Sequence, residues 1–181
     1  MAERLVLHVG CGLKDPAKLH EVFRKDGWKE IRLDINPDVE PDIVGNLIDM
    51  KAVDNESMDA VWSSHNLEHL YAHEVPLALA EFQRVLKPDG VLLVTMPNLQ
   101  EVARHIANGN LEEVLYVSPA GPICPLDILY GFRPNIAAGN HFMAHKTGYI
   151  AKTLSEKMQA AGFRNVQVRE EGLNLWGAGN K

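Results

Sequence analysis

The sequence predicts an α/β protein built on a mostly parallel sheet that is covered on both faces. Short runs of strand composition alternate with apolar residues at helical spacing, and the chain closes on what reads as a hairpin. A chain of 181 residues with 46% apolar side chains can bury one good core, so a single domain over 1–181 is expected.

The first strand is "RLVLHV" (4–9), which breaks into Gly10-Cys11-Gly12. A helix is expected next, because Asp15 is a suitable N-cap, Pro16 suits the first helical position, and Leu19, Val22 and Phe23 share one face up to Gly27. Further strands follow in "EIRLDI" (30–35), "DIVG" (42–45), "MDAVWSS" (58–64) and "GVLLVTMP" (90–97). Between the last two, Leu67, Leu70 and Tyr71, then Leu79, Phe82, Val85 and Leu86, recur at helical spacing until Pro88 and Gly90 end the pattern.

"TLSE" (153–156) predicts a capping box in which Thr153 accepts from the backbone and Glu156 reaches back, and the helix ends at Gly162. "NVQVREEGLNLWG" then predicts two strands around a tight turn at Glu171-Gly172. Residues 107–148 hold little periodicity and many Gly, Pro and Asn. They are too long for a plain connector and read as an insert that either folds over a ligand cleft as a substrate cap or serves as a dimer contact or plain surface loop.

Charge and cysteines exclude several classes. A formal charge of −6 and a pI near 5.7 argue against nucleic-acid binding, which rests on clustered Lys and Arg. Cys11 and Cys124 are too few for a disulfide framework, and no apolar run is long enough to span a membrane, so a reducing, cytoplasmic location is expected.

Gly10 and Gly12 sit where the first strand ends and a helix is expected, the place where ligands bind in open α/β sheets. A dinucleotide would want a third glycine at position 15, where the chain has Asp15. A carboxylate there repels a pyrophosphate, which disfavours an NAD-dependent dehydrogenase and favours a nucleoside ligand without phosphates.

Five segments carry a family resemblance: "LHVGCG", the acidic end of "IRLDINP", "DIVGNLIDM", "MDAVWSSHNLEHL" and "EFQRVLKPDGVLLVTMPN", in order from about residue 5 to 98. In these the chain resembles the class I, Rossmann-like, S-adenosylmethionine (SAM)-dependent methyltransferases of the type 11 group, and "GYIAKTLSEKMQAAGF" resembles their final helix. The resemblance implies a three-layer sandwich with a seven-stranded sheet of order 3-2-1-4-5-7-6 and a final antiparallel strand. It implies S-adenosyl-L-methionine as cofactor, with S-adenosyl-L-homocysteine as its product. It also implies roles for particular residues. Gly10, Cys11 and Gly12 would let the backbone approach the methionyl part. Asp34, 22 residues beyond Gly12, would take the ribose hydroxyls, Ile35 would pack on adenine, and Asn46 and Leu47 would bracket its edge. Ser64 and His65 would face the methyl donor.

His8 stands where the family usually has Asp or Glu, and Lys14 where a further glycine is common. These departures keep a non-catalytic SAM-binding domain as an alternative. For a proton-bearing acceptor, His65 is the first general-base candidate, followed by His141 and His145 in "GNHFMAHKTGY". The acceptor is expected to be a small molecule, sugar or lipid-linked intermediate, and a homo-oligomer is left open.

His65-Asn66-Leu67-Glu68-His69 also spells H-x-x-E-H, the inverted zinc-hydrolase pattern. That chemistry needs a third ligand from elsewhere and a helix, whereas this segment follows a strand. No metal is therefore expected, and Glu68 and His69 read as residues that cap, pair or shape the cleft.

Overall fold

A computed structural model describes residues 3–181. Seven strands form one sheet: β1 (Arg4–Val9), β2 (Trp28–Asp34), β3 (Ile43–Val44), β4 (Met58–Ser64), β5 (Leu86–Pro97), β8 (Arg164–Glu171) and β9 (Asn174–Asn180). Their order is β3-β2-β1-β4-β5-β9-β8, with β8 and β9 the sixth and seventh strands of the sheet along the chain. The expected 3-2-1-4-5-7-6 order is therefore the observed one. β1 lies between β2 and β4, with Leu7 opposite both Ile31 and Val61, and these pairings are parallel. β9 is antiparallel to both β5 and β8.

Because side chains alternate across a strand, the sheet has two distinct faces. Leu7, Val9, Leu33, Val61, Leu92 and Val94 point to one of them. There they meet α1 (Val75–Val85) through Val75, Leu79 and Phe82, and α5 (Ala151–Ala160) through Leu154 and Met158. Phe82 is fully buried in this core, so Phe82→Ala would cost about 3–5 kcal/mol. The other face carries Val6, Ala60 and Trp62 and is covered by Leu19 and Phe23.

That second cover corrects one expectation. Asp15 does cap, accepting from the Ala17 amide at 2.9 Å, but the turn it starts is a 3-10 turn over Pro16–Lys18, followed by another over Glu21–Phe23. The helix fails to propagate because Leu19 is extended and the Lys18 carbonyl accepts from the Trp62 indole at 2.9 Å. The outer layer on this side is thin.

Three other boundaries differ. Residues 65–71 hold only a 3-10 turn at Leu67–His69, and α1 starts at Val75, just ahead of Pro76. Strand β5 starts at Leu86, earlier than Gly90. In α5, Thr153 is not the N-cap: the helix begins at Ala151 and the Thr153 hydroxyl receives the Ile150 amide at 3.2 Å, while Glu156 pairs with Lys152 at 3.8 Å.

The expected closing hairpin forms, turning at Gly172 and Leu173. Residues 107–148 are more ordered than their composition implies. They follow α2 (Leu99–Ala107) with a hairpin of β6 (Tyr116–Ser118) and β7 (Gly121–Ile123), then α3 (Pro125–Tyr130) and α4 (Arg133–Ala137). Val102, Ile123 and Ile128 give this region its own small core. Among the described residues, no helix is long and apolar enough to cross a membrane.

Candidate functional site

The carboxyl ends of β1 and β2 meet at a glycine loop. Gly10 and Gly12 have φ of +62° and +60°, a left-handed backbone that costs an L side chain about 1–2 kcal/mol. The loop is tied down from three sides. The Cys11 amide donates to the Leu33 carbonyl at 3.2 Å, the Gly12 amide to Asp34 Oδ2 at 2.8 Å, and the Gly12 carbonyl accepts from the Arg32 guanidinium at 2.5 Å. Asp34 Oδ1 accepts the Asn36 amide at 2.9 Å, so each carboxylate oxygen carries one backbone donor and keeps acceptor capacity. Arg32 also donates to the Glu40 and Val39 carbonyls, joining the glycine loop to the turn after β2.

Cys11 is buried, and burial pushes its thiol up to about 11, so it is an unreactive loop residue. Ile35 is exposed beside Asp34, available to a flat apolar ring. Asn46 follows β3 and holds the Ile48 amide at 3.2 Å with its side-chain oxygen, leaving its NH2 free of that turn. Leu47 corrects the sequence reading, since its side chain is buried in the main core and only its backbone is left to face a ligand. Ser64 ends β4. His65 follows with φ of +47°, donating its amide to Thr95 at 2.9 Å and leaving its ring half-exposed.

Asn66 was not singled out by sequence. A Cβ on Gly10 would overlap Asn66 Nδ2, so this side chain lies directly against the glycine loop. Its Nδ2 is buried and, among the described residues, has no hydrogen-bond acceptor. His8, at the family's usual acidic position, is buried on the thin face, 2.6 Å from Glu30 Oε1. The neighbouring strand thus supplies a carboxylate that β1 lacks.

A second cluster lies beside the first. Glu68 is only 1% exposed, and His65 Nδ1 stands 3.4 Å from its Oε1, too far for a strong hydrogen bond. Burial opposes charge on Glu68, but the rings of His65, His69 and His145 outweigh it and hold the carboxyl below its ordinary value. His145 is brought in from the insert, because the Lys146 and Thr147 amides donate to the Glu68 carbonyl at 2.8 and 3.2 Å. Burial pushes the His145 ring below its ordinary value. The structure thus joins His65 and His145. His141 lies on the exposed turn His141–Met143 and makes no hydrogen bond to this cluster among the described residues.

Residues 7–94 match the family model described as "Methyltransferase domain". No curated protein matches the chain. A solved SAM-dependent methyltransferase from Archaeoglobus fulgidus is similar at 17% identity and a TM-score of 0.65, over 99% of this chain and 86% of that one. The 1,6-didemethyltoxoflavin-N1-methyltransferase of Burkholderia thailandensis, solved with bound 1,6-didemethyltoxoflavin and S-adenosylhomocysteine, is similar at 15% identity and a TM-score of 0.57, over 99% of this chain and 72% of that one. Phosphoethanolamine N-methyltransferase 2 of Haemonchus contortus, solved with S-adenosyl-L-methionine, gives 14% and 0.58, over 93% of this chain and 35% of the longer one.

The protein has the class I, Rossmann-like fold of the SAM-dependent methyltransferases. Its residues 7–94, just under half of the chain, match the methyltransferase-domain family model.

Proposed function

We propose that the protein is a SAM-dependent methyltransferase acting on a small molecule, sugar or lipid-linked intermediate. The observation that carries this reading is the Asp34 carboxylate at the tip of β2, hydrogen-bonded to Gly12 and still able to accept from a ribose. The cofactor suits the residues present. Asp34 offers charged acceptors to vicinal hydroxyls, Ile35 an exposed apolar face, and the orphaned Asn66 amide a buried donor beside the loop that would meet a carboxylate. When bound, S-adenosyl-L-methionine supplies an electrophilic sulfonium methyl.

The chain's own contribution is alignment and exclusion of water. Gly10 leaves room for the Asn66 side chain beside the loop, while Asn46 and the Leu47 backbone would limit the far edge of the cofactor site. His65, half-exposed after β4, would accept a proton from an acceptor that must lose one. Residues 107–148 would cap the acceptor side, a reading supported by their backbone grip on Glu68. The free, buried thiols of Cys11 and Cys124 suit a reducing, cytoplasmic setting, and the net charge of −6 suits a small acceptor better than a nucleic acid.

Calorimetry with S-adenosylhomocysteine and, separately, NAD tests the cofactor on wild type and Asp34→Ala. Binding of S-adenosylhomocysteine that Asp34→Ala weakens is the expected result, and binding of NAD alone overturns the reading. A screen of acceptor classes then separates an enzyme from a silent SAM-binding domain.

A further inference from the structure

We propose that Glu68, His69 and His145, with His65 at the rim, form a binding site for one divalent first-row transition-metal ion. One ligand atom of each of the three lies within 4.8 Å of the others. Glu68 is buried to 1% exposure, and among the described residues neither of its carboxylate oxygens has a hydrogen-bond partner, His65 Nδ1 standing 3.4 Å from Oε1. A buried carboxylate with no donor is costly, so a positive partner belongs beside it.

Each of the two histidines places its Nδ1 against a backbone carbonyl, a contact common to metal-binding imidazoles. Nδ1 of His69 lies 3.1 Å from the Ala144 carbonyl and Nδ1 of His145 lies 2.7 Å from the Ile128 carbonyl. A carbonyl oxygen only accepts, so each Nδ1 carries the hydrogen. In the neutral ring the lone pair is then left on Nε2. A metal ion takes the place of the proton that a charged ring would carry beside Glu68.

Two imidazoles and one carboxylate suit zinc, iron, cobalt or nickel better than magnesium or calcium, which prefer all-oxygen sites. Metal bonds of about 2.1 Å at tetrahedral angles place ligand atoms about 3.4 Å apart, so a separation of 4.8 Å must close by about 1.4 Å. His69 ends a single 3-10 turn and His145 lies between short elements, so neither is fixed inside a long helix. Three protein ligands leave a position for His65 or for an oxygen from solution.

This arrangement differs from the H-x-x-E-H hydrolase pattern. Residues 65–69 do not form an α-helix, so His65 and His69 are not presented one helical turn apart, and Glu68 lies among the ligands rather than over an activated water. The third ligand is supplied by the insert. The site does not depend on the methyl-transfer reading.

The test is titration of the full chain, first stripped with a chelator, with Co2+, followed by visible ligand-field absorption and by NMR of the histidine rings. One equivalent is expected to bind, to broaden the His69 and His145 signals and to be displaced by Zn2+ but not by equimolar Mg2+. Glu68→Gln and His145→Asn are each expected to weaken binding by about tenfold or more, and His73→Asn, on the exposed surface, to leave it unchanged. The proposal is overturned if wild type shows no ligand-field bands at millimolar cobalt, if broadening falls on other histidines, or if both ligand variants bind as wild type does. Should either variant fail to fold, the wild-type NMR result decides alone. S-adenosylhomocysteine calorimetry on the stripped protein separates failure of this site from failure of the cofactor reading.

Discussion

The Asp34 carboxylate receives the Gly12 amide at 2.8 Å, so the acid that would hold the cofactor ribose also shapes the glycine loop beside it. Asp34→Asn is therefore expected to lower S-adenosylhomocysteine affinity and to destabilise the fold by about 1–2 kcal/mol, the cost of weakening charge-assisted bonds to partly buried amides. Calorimetry alongside urea unfolding measures both, and an unchanged affinity would remove Asp34 from the site.

Gly10→Ala should be worse than a loss of backbone freedom alone. Its Cβ would overlap Asn66 as well as sit at φ +62°. Combining it with Asn66→Gly is expected to recover the steric part and leave about 1–2 kcal/mol of backbone cost. A double-mutant cycle by denaturant melts checks this, and strictly additive losses would show that the two residues do not meet.

The insert should loosen in acid. Burial opposes charge on Asp127, but Arg133, 2.8 Å away, and the Cys124 group outweigh it and hold the carboxyl down to about 2, against an ordinary 3.8. A depressed acid stabilises the fold fully above its unfolded value, and that contribution is lost as pH falls from 3.8 through about 2. Arg133→Ala is expected to move the loss to higher pH. Carboxyl-carbon NMR of Asp127 in the two proteins follows it, and identical titrations would break the assignment.

With its thiol pushed up to about 11, Cys11 has only about one thiolate in a thousand at pH 8. Thiol reagents are expected to leave Cys11 unmodified in the folded protein and to label it once urea unfolds the chain. Rapid native labelling at Cys11, mapped by peptide mass, contradicts its burial.

Strands β1, β2, β4 and β5 were legible because each is a short apolar run ended by Gly, Asp, Ser or Pro, and the ordered segments carry their neighbours with them. The helix expected after β1 was not, because what stops it is an indole 44 residues away taking the Lys18 carbonyl. Gly10, Gly12 and Asp34 were visible as a spaced motif. Asn66 against Gly10 and the shared burial of Glu68 with His145 were not, since both depend on contacts between segments that have no common periodicity. Leu47 was misread for the same reason: a loop leucine gives no local sign of whether it turns toward the core or the cleft.

The thin outer layer has a practical consequence. All three tryptophans of the chain gather on it. Trp62 and Trp176 are stacked with ring centres 5.9 Å apart, His20 lies 5.3 and 5.5 Å from them, and Trp28 is edge-on to Phe23 at 4.9 Å. Ultraviolet emission from this protein is therefore a one-sided optical gauge. It reports loosening of the 16–23 cover and stays nearly blind to events among α1 and α5, so a fluorescence melt and a circular-dichroism melt of the same sample watch opposite sides of one sheet.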